Sequence, residues 1–356
     1  MKESSATREE GISAWAPATV ANVGPGFDVF GFAMAEPGVT VTVRFGDAGG
    51  RGIRIRTNRP ELPTDPTRNT AGAAAQALMA HYGVQEDVEV KIAAAIPIGS
   101  GMGSSAASAV AAAMAANQLF GGTLTREALL PFAVAGEGVA SGTPHADNVA
   151  PALFGGWQLV IAHQPTEVMA LPTPHDLHYV VVHPAVVVET AAARKILPAA
   201  IPLGDAVRQW AQVGALVAAL YEEDLPRLGS LLDDRLIEPL RSRLIPGYAA
   251  VKRAATAAGA LGCTIAGSGP AMCSVVRRSD AARVETAMSE AFRAAHVACT
   301  SWIGAFGAPG AHIASHGQAR GPRQLASPVG SDPASTASVR GRLHRLCRWR
   351  GRREPL

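Results

Sequence analysis

An α+β fold with mixed or antiparallel sheets is what this sequence predicts, on three observations. Short alternating segments read as strands, Ala-rich segments read as helices, and the two kinds interleave while some strands stand next to one another as hairpins. The chain has 356 residues, enough for two domains at roughly 100–200 residues each. Hydrophobic residues make up 48% and charged residues 17%, which supplies a sizeable core and excludes a disordered chain.

The elements follow in order. From Ile12 the chain alternates and turns in short pieces. GVTVTVRF (38–45) and GIRIRT (52–57) alternate apolar with polar residues and are expected in an antiparallel sheet. Pro and Asp crowd the next connection, after which TAGAAAQALMAH (70–81) reads as a helix stopped at Gly83. VEVKIAAAI (88–96) is a strand that runs through the loop PIGSGMGSS into an Ala-rich helix over 106–119. A second half opens near Gly155 with the strand GWQLVIAH, a Pro-rich connection and the buried strand LHYVVVH (177–183). Helices are expected over 205–221, 225–236 and 247–258. The strands 263–266 and 273–277 flank the turn GSGPAM, and a helix over 280–294 precedes a last weak strand. The sequence shows no internal repeat.

The net charge of +3 is unevenly spread: from His316 onward nine Arg stand against two acidic residues, +7, which leaves −4 for residues 1–315. Only an appendage is basic, so no specific nucleic-acid partner is expected. Four of the 32 basic residues are Lys, an Arg bias that, with abundant Ala and Gly, reads as nucleotide composition rather than a binding surface. Cys263, Cys273, Cys299 and Cys347 lie 10, 26 and 48 residues apart, with no CxxC pair, which argues against a zinc ribbon and a disulfide scaffold. No apolar run approaches the roughly 18–20 residues of a membrane span. MKESSATREEG lacks the apolar segment of a secretory signal, so a cytoplasmic location is expected.

Four stretches carry chemistry. In PIGSGMGSSAA (97–107), three glycines permit positive φ and close approach of a ligand, and the helix that follows offers unpaired N–H groups to a phosphate. A hydroxyl at that helix start can also ligate Mg²⁺. Neither the Walker A pattern nor the dinucleotide fingerprint is present; the plain alternative is close packing alone. In WAPATVANVGPGFD (15–28), Asn22 and Asp28 flank a Gly-Pro-Gly turn, either bonding their own backbone or holding a polar, cationic substrate group. Glu137, in AGEGVA, has no adjacent Lys or Arg and is a surface residue or a metal ligand; GTPHADNVAP (142–151) follows it. Gly267-Ser-Gly-Pro-Ala is a tight turn between apolar strands. Cys263 and Cys273 read as small core residues, Trp157 and Trp302 as packing, and His145 as a structural hydrogen-bonding residue in a loop.

Together, in this order and spacing, these stretches resemble the GHMP kinases, the family named for galactokinase, homoserine kinase, mevalonate kinase and phosphomevalonate kinase. APATVANVGPGFDVFGFAM, PIGSGMGSSAAS, HADNVAPALFGG, TAAARKILP and EPLRSRLIPG are similar to its homoserine-phosphorylating branch. The resemblance runs from about Ser13 to about Ala314. It implies a two-domain α+β fold: an S5-like ATP-binding domain over 1–160 and a ferredoxin-like α/β-plait domain over 161–315; the tail it does not cover, 316–356, opens Pro/Ser/Gly/Ala-rich without periodicity and is expected to be basic and disordered.

The resemblance also implies roles. Pro97, Gly99, Ser100, Gly101, Gly103, Ser104 and Ser105 would wrap the ATP phosphates, Asn69 would contact the adenine, and Ser105 and Glu137 would hold Mg²⁺. Asn22, Asp28, Asn148, Arg194 and Arg241 fall on the positions that bind the amino acid, with Arg241 preferred to Arg243. Asp28 would neutralise the ammonium of L-homoserine, and the two Arg would grip its carboxylate. The reaction implied is transfer of the γ-phosphoryl group of ATP to the side-chain hydroxyl, which depends on positioning and charge more than on covalent chemistry. Thr190 is a hydroxyl near the expected transfer point; Asp147 is either a base or, as preferred here, an organiser of its loop. A homodimer and a place in threonine biosynthesis are implied as well. The competing readings are a kinase for another small alcohol, which would not need two Arg and an Asp for a zwitterion, and a catalytically inactive ATP-binding regulator on the same fold. The Arg-rich 340–353 segment is read as dispensable, its alternative being a non-specific anionic-surface arm.

Overall fold

The computed structural model describes residues 10–46, 52–142 and 145–314; the tail and positions 143 and 144 lie outside them. Among these residues the strands form two sheets. In the first, β1 (Ile12–Ala21) pairs antiparallel with β2 (Phe30–Phe45), and β2 pairs antiparallel with β4 (Val88–Ala94). The GIRIRT strand, β3 (Ile53–Thr57), joins the edge of β4 in parallel rather than antiparallel. Alternation fixes which face is buried but not strand direction, so the expected antiparallel pairing fails here. The 16-residue β2 is shared, with Val39–Phe45 on β4 and Phe30–Phe32 on β5 (Trp157–His163). β5 continues into β6 (Thr166–Leu171), a strand in the connection expected to be irregular. Because β5 hydrogen-bonds to β2, residue 160 lies inside the first sheet.

Four helices matter for the first sheet's face and the cleft. α1 (Thr70–Tyr82) is capped by Asn69 and stopped by Gly83 at φ 69°, as its sequence predicts. α2 (Ser104–Leu119) is Ala-rich with no polar face, and Ala106 through Ala113, Ser108 included, are buried. A helix apolar all round belongs inside, and α2 packs between the sheet and its neighbours. α3 (Arg126–Ser141) and α4 (Ala146–Phe154) occupy stretches for which the sequence predicts no helix. Pro131, Gly136 and Gly138 lower local helix propensity, but packing decides: a Cβ at Gly136 would come within 2.7 Å of the Thr70 carbonyl oxygen, so α1 and α3 cross at a distance only Gly allows.

The second sheet is antiparallel, in the order β10 (Cys299–Ala305), β7 (Leu177–Pro184), β9 (Met272–Arg277), β8 (Gly262–Ile265). Its alternate residues face different cores. Tyr179, Val181, Cys273 and Val275 join the main core, while Val180, Val182, Met272 and Val276 pack with α9 (Tyr248–Ala257) and α10 (Ala281–Ala294). Burial on both faces explains the unbroken apolar run of β7. An aromatic cluster ties the sheets together: Phe306 lies 4.5 Å from Phe32 and 4.9 Å from Trp157, centroid to centroid. Of the remaining helices, α5 (Thr190–Lys195) and α8 (Glu238–Arg241) bring residues to the cleft, while α6 (Leu203–Tyr221) and α7 (Leu225–Ser230) pack on each other. The helix expected over 225–236 stops at Ser230. The last short strand, β11 (His312–Ile313), returns to pair with β1. No described helix is long and apolar enough to cross a membrane.

Candidate active site

The loop from β4 to α2 turns through three left-handed glycines, Gly99 at φ 67°, Gly101 at 79° and Gly103 at 65°. A Cβ at Gly101 would sit 2.7 Å from the Gly269 carbonyl oxygen, and one at Gly103 would sit 2.8 Å from Asn148 Oδ1. These glycines are therefore required for packing as well as for any ligand. α2 starts at Ser104 with Gly103 as its cap, so no side chain occupies the first N–H groups. They open, with the positive end of the helix dipole, on a cleft of about 430 Å³ lined by Gly99 through Ser105. That arrangement suits a phosphate chain.

Beside the helix start, Ser105 Oγ donates to Glu137 Oε1 at 3.2 Å, which brings α2 and α3 together. Glu137 is 5% exposed and its Oε2 has no hydrogen-bond partner. Burial pushes its carboxyl up to about 8, the Ser105 hydrogen bond opposes that, and the charge of Asp147 adds to it. Asp147, 1% exposed on α4, is likewise raised to about 7 by burial and by Asp28, and its Oδ1 is unpartnered. Two buried carboxyls with orphaned oxygens beside a phosphate site call for positive charge. Ser105 and Glu137 offer hard oxygen donors that fit a divalent cation. No group of three or more His, Cys, Asp or Glu residues that could hold a metal occurs among the described residues, so phosphate oxygens and water would supply most of the ligands.

The other end of the cleft is built from distant segments. Asn22 and Asp28 both adopt left-handed backbone, φ 57° and 60°, and Asn22 Oδ1 accepts from the Asp28 N–H at 2.8 Å, closing the Gly-Pro-Gly turn on itself. Arg194, at the end of α5, places Nη2 2.7 Å from Asp28 Oδ2 and Nη1 3.3 Å from Oδ1. Arg241, 3% exposed at the end of α8, donates Nη1 to the Gly267 carbonyl at 2.9 Å, and its Nε is unpartnered. Both guanidinium groups lie over the Phe27 ring, at 5.5 Å and 5.1 Å. Asn148 accepts from Thr19 Oγ1 at 2.7 Å, and Thr190 Oγ1 lies 3.4 Å from Ser268 Oγ.

The cleft thus gathers Asn22, Asp28, Asn69, Asn148, Thr190, Arg194 and Arg241 with the glycine loop, while Pro97 lies outside its lining. Asn69 is buried and uses both ends of its amide on the chain: Oδ1 accepts from Gly72 N at 3.1 Å and Nδ2 donates to the Pro63 carbonyl at 2.8 Å. Ser100 is 1% exposed, and its Oγ accepts from Met102 N inside the loop. His145, in the loop just before α4, makes the structural hydrogen bond its sequence reading expects, and makes it inside the site. Its Nε2 lies 2.6 Å from Arg194 Nη1, which only donates, so Nε2 accepts and the ring is neutral with its proton on Nδ1. Burial holds the ring below the ordinary histidine range, Asp28 opposing and the two Arg reinforcing. The sequence gives no local sign of this contact, which spans 49 residues.

Comparison with known proteins gives a consistent result. The GHMP kinases N terminal domain matches residues 69–156, and the GHMP kinases C terminal domain matches 216–294. A homoserine kinase of Chloroherpeton thalassium is 42% identical over 79% of this chain and 92% of its own length. One of Chlorobaculum tepidum is 40% identical over 85% and 98%. The crystal structure of homoserine kinase from Cytophaga hutchinsonii superposes with a TM-score of 0.83 at 40% identity, over 88% of this chain and 99% of that one. The crystal structure of L. major mevalonate kinase shows a shared fold alone, with a TM-score of 0.60 at 20% identity over 83% of this chain and 96% of that one.

Proposed function

The chain belongs to the GHMP kinase family, and from that premise we infer that it transfers the γ-phosphoryl group of ATP to the side-chain hydroxyl of L-homoserine. The observation that carries the substrate is the charged pole of the cleft: Asp28, Arg194 and Arg241 converge within the lining that also holds the glycine loop. An α-amino acid presents an ammonium and a carboxylate, and this pole offers a counter-charge for each. A sugar or an isoprenoid alcohol has no use for both.

The α2 N-terminus and the glycine loop receive the phosphates, with Ser104 and Ser105 at the helix start. Ser105 and Glu137 would hold Mg²⁺, which when bound neutralises charge on the phosphates. Asp28 takes the ammonium, and Arg194 and Arg241 take the carboxylate. Asn22 and Asn148 hold the remaining polar edges, and Thr190 stands by the transfer point. Asp147 offers almost no surface to the cleft, so it serves as a buried organiser of α4 and the reaction proceeds by orientation and charge. A cytoplasmic homodimer belongs to the same reading, and sedimentation of the purified protein tests the dimer.

The test is a coupled ADP-release assay with ATP and Mg²⁺, run with L-homoserine beside L-serine, mevalonate and galactose. Turnover with homoserine well above the others is expected. Faster turnover of mevalonate or galactose would move the protein to another branch, and ATP binding without turnover of any alcohol would make it a regulator.

A further inference from the structure

We propose that Asp234 and Gln209 are positioning residues that fix Arg241 against the Asn22–Asp28 loop and so set the geometry of the amino-acid pole. The proposal rests on the reading above that Arg241 and Asp28 bind the two charges of the substrate. α8, which carries Arg241, has only four residues, and the Leu240 and Arg241 N–H groups bond the Ile237 carbonyl just ahead of it. One carboxylate holds the chain that enters the helix. Asp234 Oδ1 accepts from the N–H of Leu236 at 2.9 Å and of Ile237 at 3.1 Å, and Oδ2 accepts from Glu238 at 3.0 Å. Asp234 is 7% exposed, and its charge also favours the Arg241 guanidinium in its cationic form.

Gln209 of α6 extends this anchor to the other side of the pole. Its Nε2 carries two hydrogens and meets two acceptors, the Pro25 carbonyl at 2.8 Å and Asp234 Oδ1 at 3.4 Å. Pro25 sits in the turn between Asn22 and Asp28. A Cβ on the neighbouring Gly24 would come within 2.9 Å of Leu232 Cα, so that turn rests on the chain that leads into Asp234. The loop that presents Asp28 and the helix that presents Arg241 therefore share one reference point, a side-chain amide from a third element. Asp234 and Gln209 reach the Pro25 turn and the chain entering α8, and neither lines the cleft that holds the glycine loop, so their loss is expected to act on the amino acid rather than on ATP.

Gln209→Met keeps side-chain length and removes both donors. Asp234→Asn replaces an acceptor with an N–H₂ group, so whichever way the amide turns, a donor is left facing a donor. In the full-length protein, Gln209→Met is expected to raise KM for homoserine roughly tenfold, with KM for ATP and kcat changed by less than about threefold. Asp234→Asn is expected to show the same selective rise, and the double variant to be no worse than Asp234→Asn alone. Hydrogen exchange of Gln209→Met is expected to speed up in both segments, 22–28 and 236–241. An unchanged KM for homoserine, an equal rise for both substrates, additive single effects, or faster exchange in one segment only would each overturn the proposal. If the parent protein turns over no homoserine, the substrate reading fails, while the exchange measurement still decides whether Gln209 ties the two segments together.

Discussion

Arg194 grips Asp28 with both Nη atoms, 2.7 Å and 3.3 Å from the two carboxylate oxygens, although 166 residues separate them in the chain. Each group is the counter-charge that one pole of an amino acid requires. On the proposed reading, a zwitterion entering the cleft would exchange this one ion pair for two, its ammonium on Asp28 and its carboxylate on Arg194 and Arg241. A neutral alcohol offers nothing to open the pair, and a simple anion satisfies the Arg residues while stranding Asp28. On that reading, selection against neutral alcohols would be built into a contact the protein makes with itself.

Arg194→Lys keeps the charge and loses the two-pronged geometry, as well as the donor to His145. The pair is 35% and 23% exposed, so solvent screens it and the effect falls at the low end for charged contacts. KM for homoserine is expected to rise by roughly 30-fold, about 2 kcal/mol, with KM for ATP little changed. A Lys variant with parental KM would remove Arg194 from the substrate site.

Asn69 separates a structural role from a nucleotide role. With both amide ends engaged on Gly72 and Pro63, Asn69→Ala is expected to cost about 1 kcal/mol of stability as a lost helix cap. Denaturant unfolding reads that loss, and titration with ATP reads affinity. A weakened affinity in a protein of unchanged stability would restore the adenine contact that the family resemblance implies.

Much of this site was legible because its chemistry is local. Gly99, Gly101 and Gly103 must be Gly for their φ angles alone, and the Ala run behind them has no polar face to expose, so loop and buried helix follow from composition. The helices α3 and α4 were not legible. Glu137 lies between Gly136 and Gly138, and its helix persists because Gly136 lets α3 press against Thr70, a contact no local pattern encodes. The parallel pairing of β3 and the partnership of His145 with Arg194 escape for the same reason: each is decided by a segment tens of residues away.

Gly103 joins the two halves of the cleft. Its left-handed backbone opens α2, and a Cβ there would collide with Thr19 Oγ1 and press on Asn148 Oδ1, displacing their hydrogen bond. Gly103→Ala is expected to cost on the order of 2 kcal/mol of stability and to weaken both ATP and homoserine binding. Loss of ATP binding alone would confine Gly103 to the phosphate loop.

Glu137→Gln keeps shape and hydrogen bonding to Ser105 but cannot carry charge. In the parent protein Mg²⁺ is expected to tighten ATP binding; in the variant that gain is expected to fall by roughly tenfold, with metal-free ATP binding unchanged or improved. Equal Mg²⁺ dependence in both proteins, measured by calorimetry at matched free metal, would take Glu137 out of the cation site.

Asp147 gives a pH dependence with a definite sign. Burial, then the charge of Asp28, raise its carboxyl from 3.8 to about 7 in the fold. Between those values the folded protein holds a proton that the unfolded chain has released. Stability from this group is therefore fully present below pH 3.8, is lost as pH rises, and reaches its floor above about 7. Within that window the slope is up to about 1.4 kcal/mol per pH unit. Asp147→Asn removes the titration, so in EDTA the variant is expected to gain on its parent steadily from pH 4 to pH 7 in urea unfolding, and to hold that advantage at pH 8. The same variant tests the mechanism. As an organiser beneath the cleft, Asn should retain kcat within roughly tenfold. A fall of about 10³ with loss of the acidic limb of the kcat profile would instead make Asp147 the group that accepts the hydroxyl proton.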